Sequence, residues 1–170
     1  MFDKFFPDDY KMSTYVIPFE KLYEEGMRGV IFDIDNTLVP HGAPADERAK
    51  KLFARLKDIG FSSCLISNNQ EARVKMFNEE IQTNYIYNAH KPSTKNYKKA
   101  MEIMGTDCSN TIFVGDQLFT DVWGAKRTGI RNILVKPIHP KEEIQIVLKR
   151  YLERIVLHFY KKKQKKTASK

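Results

Sequence analysis

A chain of 170 residues can bury the core of one domain, and 42% hydrophobic content with 12% aromatics excludes a disordered protein. Two cysteines, Cys64 and Cys108, exclude a disulfide framework or a zinc cluster and point to a reducing compartment. The net charge of +8 is uneven: residues 141–170 hold ten Lys/Arg against three Glu (+7), and the first 140 hold nineteen against eighteen (+1), so the basic character is local.

No apolar run approaches the roughly 18 residues of a membrane span, and acids and Pro7 interrupt the N-terminus where a signal peptide would stay apolar. A cytoplasmic location is expected. Residues 1–17 are aromatic-rich and carry no clear period. Pro18 to Glu25 reads as a short helix closed by Gly26. Val30 to Phe32 is a buried strand, and Val39 to Pro44 a short excursion. Asp46 to Ile59 has helical spacing and ends at Gly60. Ser63 to Ile66 is a strand, Glu71 to Ile81 a helix, Tyr85 to Tyr87 a short strand, and Thr94 to Met104 a helix ended by Gly105. Thr111 to Val114 is a strand running into Gly115-Asp116. Thr120 to Thr128 is a helix closed by Gly129, and Asn132 to Val135 is the last strand. Strands alternating with helices predict a three-layer α/β/α sandwich, Rossmann-like, around a parallel sheet. We expect one domain over residues 1–160 and a basic, flexible tail over 161–170.

In such a sheet the strand ends share one edge, where open α/β proteins place their chemistry. The first strand delivers Asp33 and Asp35, the second Ser67-Asn68-Asn69, the third His90-Lys91-Pro92, and the fourth Asp116 with Asp121 beyond it. Four acids, a hydroxyl and a lysine therefore converge. Acids this close repel unless a cation or shared proton offsets them. A carboxylate can attack a phosphoryl group once a hard cation such as Mg2+ neutralises the phosphate. A lysine and a hydroxyl can hold the phosphoryl oxygens, and a second acid can protonate the leaving oxygen. Taken singly, each residue has a plainer reading as a surface acid, a turn serine, a solvated lysine or a helix cap. The ordered set at strand ends carries the argument.

These stretches resemble the four motifs of the haloacid dehalogenase (HAD) superfamily of phosphatases, most closely its subclass IIIA, YqeG-like group. The resemblance rests on Asp33-Ile34-Asp35-Asn36-Thr37-Leu38, Ser67-Asn68-Asn69, Lys91-Pro92 and Val114-Gly115-Asp116-Gln117-Leu118-Phe119-Thr120-Asp121. It implies Asp33 as nucleophile, Asp35 as general acid/base, and Ser67 and Lys91 on the phosphoryl group. Thr37 and Asn68 join Lys91 as expected phosphate contacts. Magnesium would be held by Asp33, Asp116 and the Asp35 carbonyl oxygen, with Asp121 outside them as an orienting acid.

Neither the gap from Asp35 to Ser67 nor that from Ser67 to Lys91 can hold a cap domain, so the site should be open and suit a bulky substrate. The resembling group includes phosphatidylglycerophosphate phosphatases, which implies a phospholipid monoester. A soluble sugar, nucleotide or nucleic-acid-end phosphate is the second reading. A non-catalytic RNA- or ribosome-binding protein on the same scaffold is the third. Ile144, Leu148, Tyr151, Ile155 and Phe159, widened by Val147, Leu152 and Val156, form a helical stripe ahead of Lys161-Lys162-Lys163-Gln164-Lys165-Lys166. That segment is either a last helix docked on the sheet with a solvated tail or an amphipathic anchor for anionic lipid at the inner membrane face. RNA is the remaining partner for the lysines. His41 lies beside the site, His90 reads as a packing residue, and Cys64 as a core hydrophobe.

Overall fold

A computed structural model describes residues 2–139 and 144–168, with side chains from Leu148 onward in the second stretch. Its elements are β1 (Asp9–Lys11), α1 (Phe19–Glu24), β2 (Gly29–Phe32), α2 (Glu47–Ile59), β3 (Ser62–Ile66), α3 (Glu71–Ile81), β4 (Asn84–Ile86), α4 (Lys95–Met104), β5 (Thr111–Gly115), α5 (Trp123–Thr128), β6 (Arg131–Val135) and α6 (Ile144–Ala168). The strands pair in the order β1-β6-β5-β2-β3-β4, and every pairing is parallel. The expected parallel sheet is present, with β1 added at its edge.

Alternation along the strands divides the core. Val30, Phe32, Leu65, Val114 and Ile133 face α1, α2 and α3, where Phe19, Leu52, Leu56, Val74 and Phe77 are buried. Ile31, Cys64, Ile66 and Phe113 face the other way, onto Tyr97, Ala100 and Met104 of α4 and Ala125 of α5. Central strands covered on both faces must be apolar at every position, which is why β2 reads Gly-Val-Ile-Phe and is buried throughout. Helix α2 starts where the Asp46 carboxylate accepts the Ala49 amide at 2.9 Å, and it stops at Gly60, whose φ of 112° is left-handed. Between β2 and β3 the chain forms only a short turn and α2, and between β3 and β4 only α3. There is accordingly no cap.

A third apolar cluster explains the N-terminal segment that carries no period. Leu134, Leu118 and Val122 meet Val156 of α6, and Phe2, Phe5, Phe6 and Tyr10 pack around them. Phe2 stacks on Phe159, and Phe6 meets the Tyr160 ring edge-on. The aromatics of residues 1–17 thus bind α6 to the sheet edge. Helix α6 docks through Glu153, Val156 and Tyr160, while Leu148, Tyr151, Leu152, Ile155 and Phe159 are exposed. Of the stripe read from the sequence, Val156 is buried and the other described members are exposed; Ile144 and Val147 lie outside the described side chains. The helix continues through Lys161–Lys166 to Ala168, so the segment expected as a flexible tail has helical backbone up to that point.

Candidate active site

Asp33 leaves the sheet at the end of β2, its amide still bonded to Val114 O of β5 at 3.0 Å. The chain then turns tightly: Asn36 adopts φ 60°, and Leu38 N–H closes on Ile34 O at 2.9 Å. Buried Ile34 and Leu38 anchor that turn from below, which fixes Asp33 and Asp35 at the rim. On β5, Gly115 delivers Asp116. A single π turn, Leu118–Val122, then returns Asp121 beneath it, a local irregularity of the kind that gathers at functional sites. The Asp121 carboxylate accepts the amides of Asp116 and Gln117, both at 3.1 Å. A Cβ on residue 115 would lie 2.5 Å from Asp121 Oδ2, so that approach requires glycine. Lys91 arrives after β4, its backbone held by Asn68, whose Oδ1 accepts Lys91 N–H at 2.7 Å and whose amide donates to Lys91 O at 3.3 Å.

These elements bring Asp33, Asp116 and Asp121 together, with one oxygen of each within 4.8 Å of the others. All three are buried. Lys91 Nζ bridges Asp33 at 2.6 Å and Asp121 at 2.7 Å, and the Thr37 hydroxyl lies 3.1 Å from Asp116 and 3.4 Å from Asp33. Burial raises the Asp33 carboxyl well above the usual range; Lys91 opposes the rise, and Asp121 and Asp116 add to it. Burial likewise pushes Asp116 up to about 7, against the pull of the Arg150 guanidinium beside it. Burial works against the Lys91 ammonium, but Asp121 and Asp33 outweigh it and hold the group charged.

Asp35 points elsewhere. Its carboxylate accepts from Arg73 Nη2 at 2.8 Å, Asn69 Nδ2 at 2.7 Å and Gly42 N–H at 2.8 Å, with His41 Nδ1 at 3.9 Å. Asp35 is thus on the rim, and its side chain is outside the cluster of three. Ser67 is buried at the end of β3, its hydroxyl accepting Asn69 N–H at 3.1 Å. The Asn68 side chain serves the Lys91 backbone, and Thr37 stands between two acids. Asp121, expected outside the metal ligands, lies within the cluster, with one oxygen taken by Lys91 and the other by two amides.

Three residues escaped the sequence reading: Arg73, Arg150 and Glu153. Arg73 holds Asp35 from the first turn of α3, and its Nη1 is a buried donor with no partner among the described residues. An arginine in a first turn opposes the helix dipole, which was the available signal. Arg150 comes from α6, donating to Asp116 O at 2.5 Å and to the Asp116 carboxylate. It also meets Glu153 at 3.0 Å, and Glu153 accepts the Leu118 amide. Arg150 sits thirty-four residues from Asp116, on α6, and no local pattern links the two.

The donor set fits a divalent cation. Asp33, Asp116, Asp121 and Glu153 face only Lys91 and Arg150 among the described residues, so full ionisation leaves a net charge of −2 in a buried site. Burial is the main cause of the raised Asp33 and Asp116 carboxyls, and the neighbouring acids add to it. Oxygen donors of this kind suit a hard ion.

The chain has clear relatives. The family model described as HAD-hydrolase-like matches residues 88–143. Probable phosphatase YqeG of Bacillus subtilis is 38% identical over 165 residues, which is 96% of each chain. The chloroplastic/mitochondrial phosphatidylglycerophosphate phosphatase 1 of Arabidopsis thaliana is 28% identical over 156 residues, 86% of this chain and 44% of that one. Among solved structures, the cobalt-bound deoxy-D-mannose-octulosonate 8-phosphate phosphatase of Haemophilus influenzae superposes with a TM-score of 0.54 at 14% identity. That match covers 68% of this chain and 70% of the other, and it bears on the fold.

Proposed function

The chain belongs to the HAD-like hydrolases and is a HAD-type phosphatase, and from that premise we propose a magnesium-dependent phosphomonoesterase that dephosphorylates phosphatidylglycerophosphate in phospholipid biosynthesis. The observation that carries the reading is the buried group of Asp33, Asp116 and Asp121 around Lys91 at one sheet edge. Asp33 is the nucleophile. It attacks phosphorus as the bond to the ester oxygen breaks, and Asp35 gives that oxygen its proton. Asp35 then takes a proton from water, which attacks the aspartyl-phosphate and releases inorganic phosphate while freeing Asp33.

Lys91 opposes the burial that raises the Asp33 carboxyl and faces the phosphoryl oxygens, with the Ser67 and Thr37 hydroxyls supplying further donors. Asn68 acts on phosphate through the Lys91 backbone it holds. Asp33, Asp116 and the Asp35 carbonyl would hold the magnesium ion, with Asp121 orienting Asp116 and Lys91. Bound there, the ion would neutralise the phosphate and stabilise charge as the P–O bond breaks. Arg73 and Asn69 fix the Asp35 carboxylate at the rim, from which it serves the ester oxygen.

The lipid assignment rests on the Arabidopsis relative, on the absence of a cap and on α6. No described helix is long and apolar enough to cross a membrane. Exposed Leu148, Tyr151, Leu152, Ile155 and Phe159 followed by a lysine run suit contact with an anionic membrane surface. Phosphate release from phosphatidylglycerophosphate in anionic vesicles with Mg2+ should exceed release from glycerol 3-phosphate or nucleoside monophosphates. Faster turnover of the soluble phosphates would remove the lipid assignment.

A further inference from the structure

Helix α6 does more than cover the sheet edge. Between it and the end of β6 lies a cavity of about 470 Å³, and Asp116 is part of its wall. That volume is within the ordinary range for small-molecule sites. The floor is apolar, with Leu134, Pro137 and Leu157. Three cations line it: Lys136 from beyond β6, and Arg150 and Arg154 from α6. Arg150, Arg154 and Leu157 follow at i, i+4 and i+7, so one face of the helix supplies two guanidiniums and an apolar contact. Arg150 is committed to Asp116 and Glu153. Lys136 and Arg154 have no ion pair among the described residues, and both are exposed.

A cavity with Asp116 in its wall, Leu134, Pro137 and Leu157 in its lining, and two cations that make no ion pair among the described residues suits the alcohol side of the substrate. We propose that this cavity binds the leaving group, and that it selects a phosphomonoester whose alcohol carries a second anionic group, a phosphodiester, on an apolar body. Arg154 and Lys136 take the phosphodiester oxygens by charge-assisted hydrogen bonds, and Leu134, Pro137 and Leu157 take the apolar part. Helix α6 stands in for the missing cap as the element that discriminates between substrates. This rests on the phosphatase reading above and deepens it by naming the selecting residues.

The test separates binding from turnover. Dihexanoylphosphatidylglycerol, monomeric in solution, carries the phosphodiester and the apolar body but no monoester to hydrolyse. Calorimetric titration should show binding to the full chain that weakens ten-fold or more in both Arg154→Glu and Lys136→Glu, and is largely kept in Arg154→Lys. Absence of binding to the unaltered chain, or affinities within two-fold of it in both reversals, overturns the proposal. Equally tight binding of inorganic phosphate with the same dependence on Arg154 overturns it too, because the apolar floor would then contribute nothing. Both reversed residues are exposed, and unchanged thermal unfolding confirms that the variants fold. A protein that binds the diester through Arg154 yet releases no phosphate from phosphatidylglycerophosphate keeps the cavity and loses the lipid-substrate reading. One that turns over that lipid equally well in both reversals loses the cavity and keeps the reading.

Discussion

Replacing Lys91 by Met isolates the electrostatics of the site from its shape. The side chain is 4% exposed and its Nζ lies 2.6 Å from Asp33 and 2.7 Å from Asp121, whose side chains are 9% and 1% exposed. Methionine fills nearly the same volume without the charge. The two carboxylates then remain buried without their shared partner. Breaking a buried ion pair from one side costs about 3–5 kcal/mol, which for a chain of this size is a fall in Tm of roughly 6–20 °C. The cost requires ionised carboxylates. Asp33 already has a raised carboxyl with Lys91 present, and losing the cation raises it further. Lowering the pH therefore favours the neutral Asp33 carboxyl in the folded variant and reduces the penalty. Urea unfolding with EDTA at pH 8 and pH 5 measures both values. The expected result is a large loss at pH 8 that shrinks by at least half at pH 5. An equal loss at both pH values would mean that Lys91 acts by packing, and would refute the charge argument.

Arg73→Ala removes the cation that fixes Asp35; kcat should fall ten-fold or more with KM changed far less, and Arg73→Lys should recover part of it. A parallel loss in KM would instead place Arg73 on the substrate. Gly115→Ala puts a methyl group 2.5 Å from Asp121 Oδ2, which should lower stability by about 1–3 kcal/mol and weaken metal binding; a variant as stable as the parent would show that Asp121 can give way. Asp116 titrates near 7 when folded against 3.8 as a free side chain, so the folded state binds the extra proton between those values. The metal-free protein should accordingly lose stability as pH rises from about 4 to about 7, and this component should vanish in Asp116→Asn. In the same logic Mg2+ should raise Tm more at pH 8 than at pH 6, and an equal rise at both would remove Asp116 from the ion's ligands.

The sheet was legible because its central strands are short apolar runs between helices with clear periods and closing residues. Val30 to Phe32 and Thr111 to Val114 can be nothing but buried strands at that spacing. The meeting of Asp33, Lys91, Asp116 and Asp121 was legible too, since strand ends in a parallel sheet share an edge. What stayed hidden depends on contacts across the chain. Strand β1 has three residues, and its place beside β6 is set by pairing and not by composition. The outward direction of Leu148, Tyr151 and Ile155 follows from Glu153, Val156 and Tyr160 docking the other face of α6. The same docking brings Arg150 to Asp116, a contact that helical periodicity does not encode. Asn68 shows the limit in another way: its motif position suggests a phosphate ligand, while its hydrogen bonds go to Lys91.

A phosphoryl group carried by Asp33 is the most direct mark of the proposed reaction. Acid quench of the enzyme during turnover of phosphatidylglycerophosphate labelled in its terminal phosphate, with Mg2+, followed by peptide mapping, measures this. The label should appear on the peptide containing Asp33, disappear on chase with unlabelled substrate, and be absent in Asp33→Asn. Steady turnover with label on another residue, or undiminished turnover in Asp33→Asn, would contradict it.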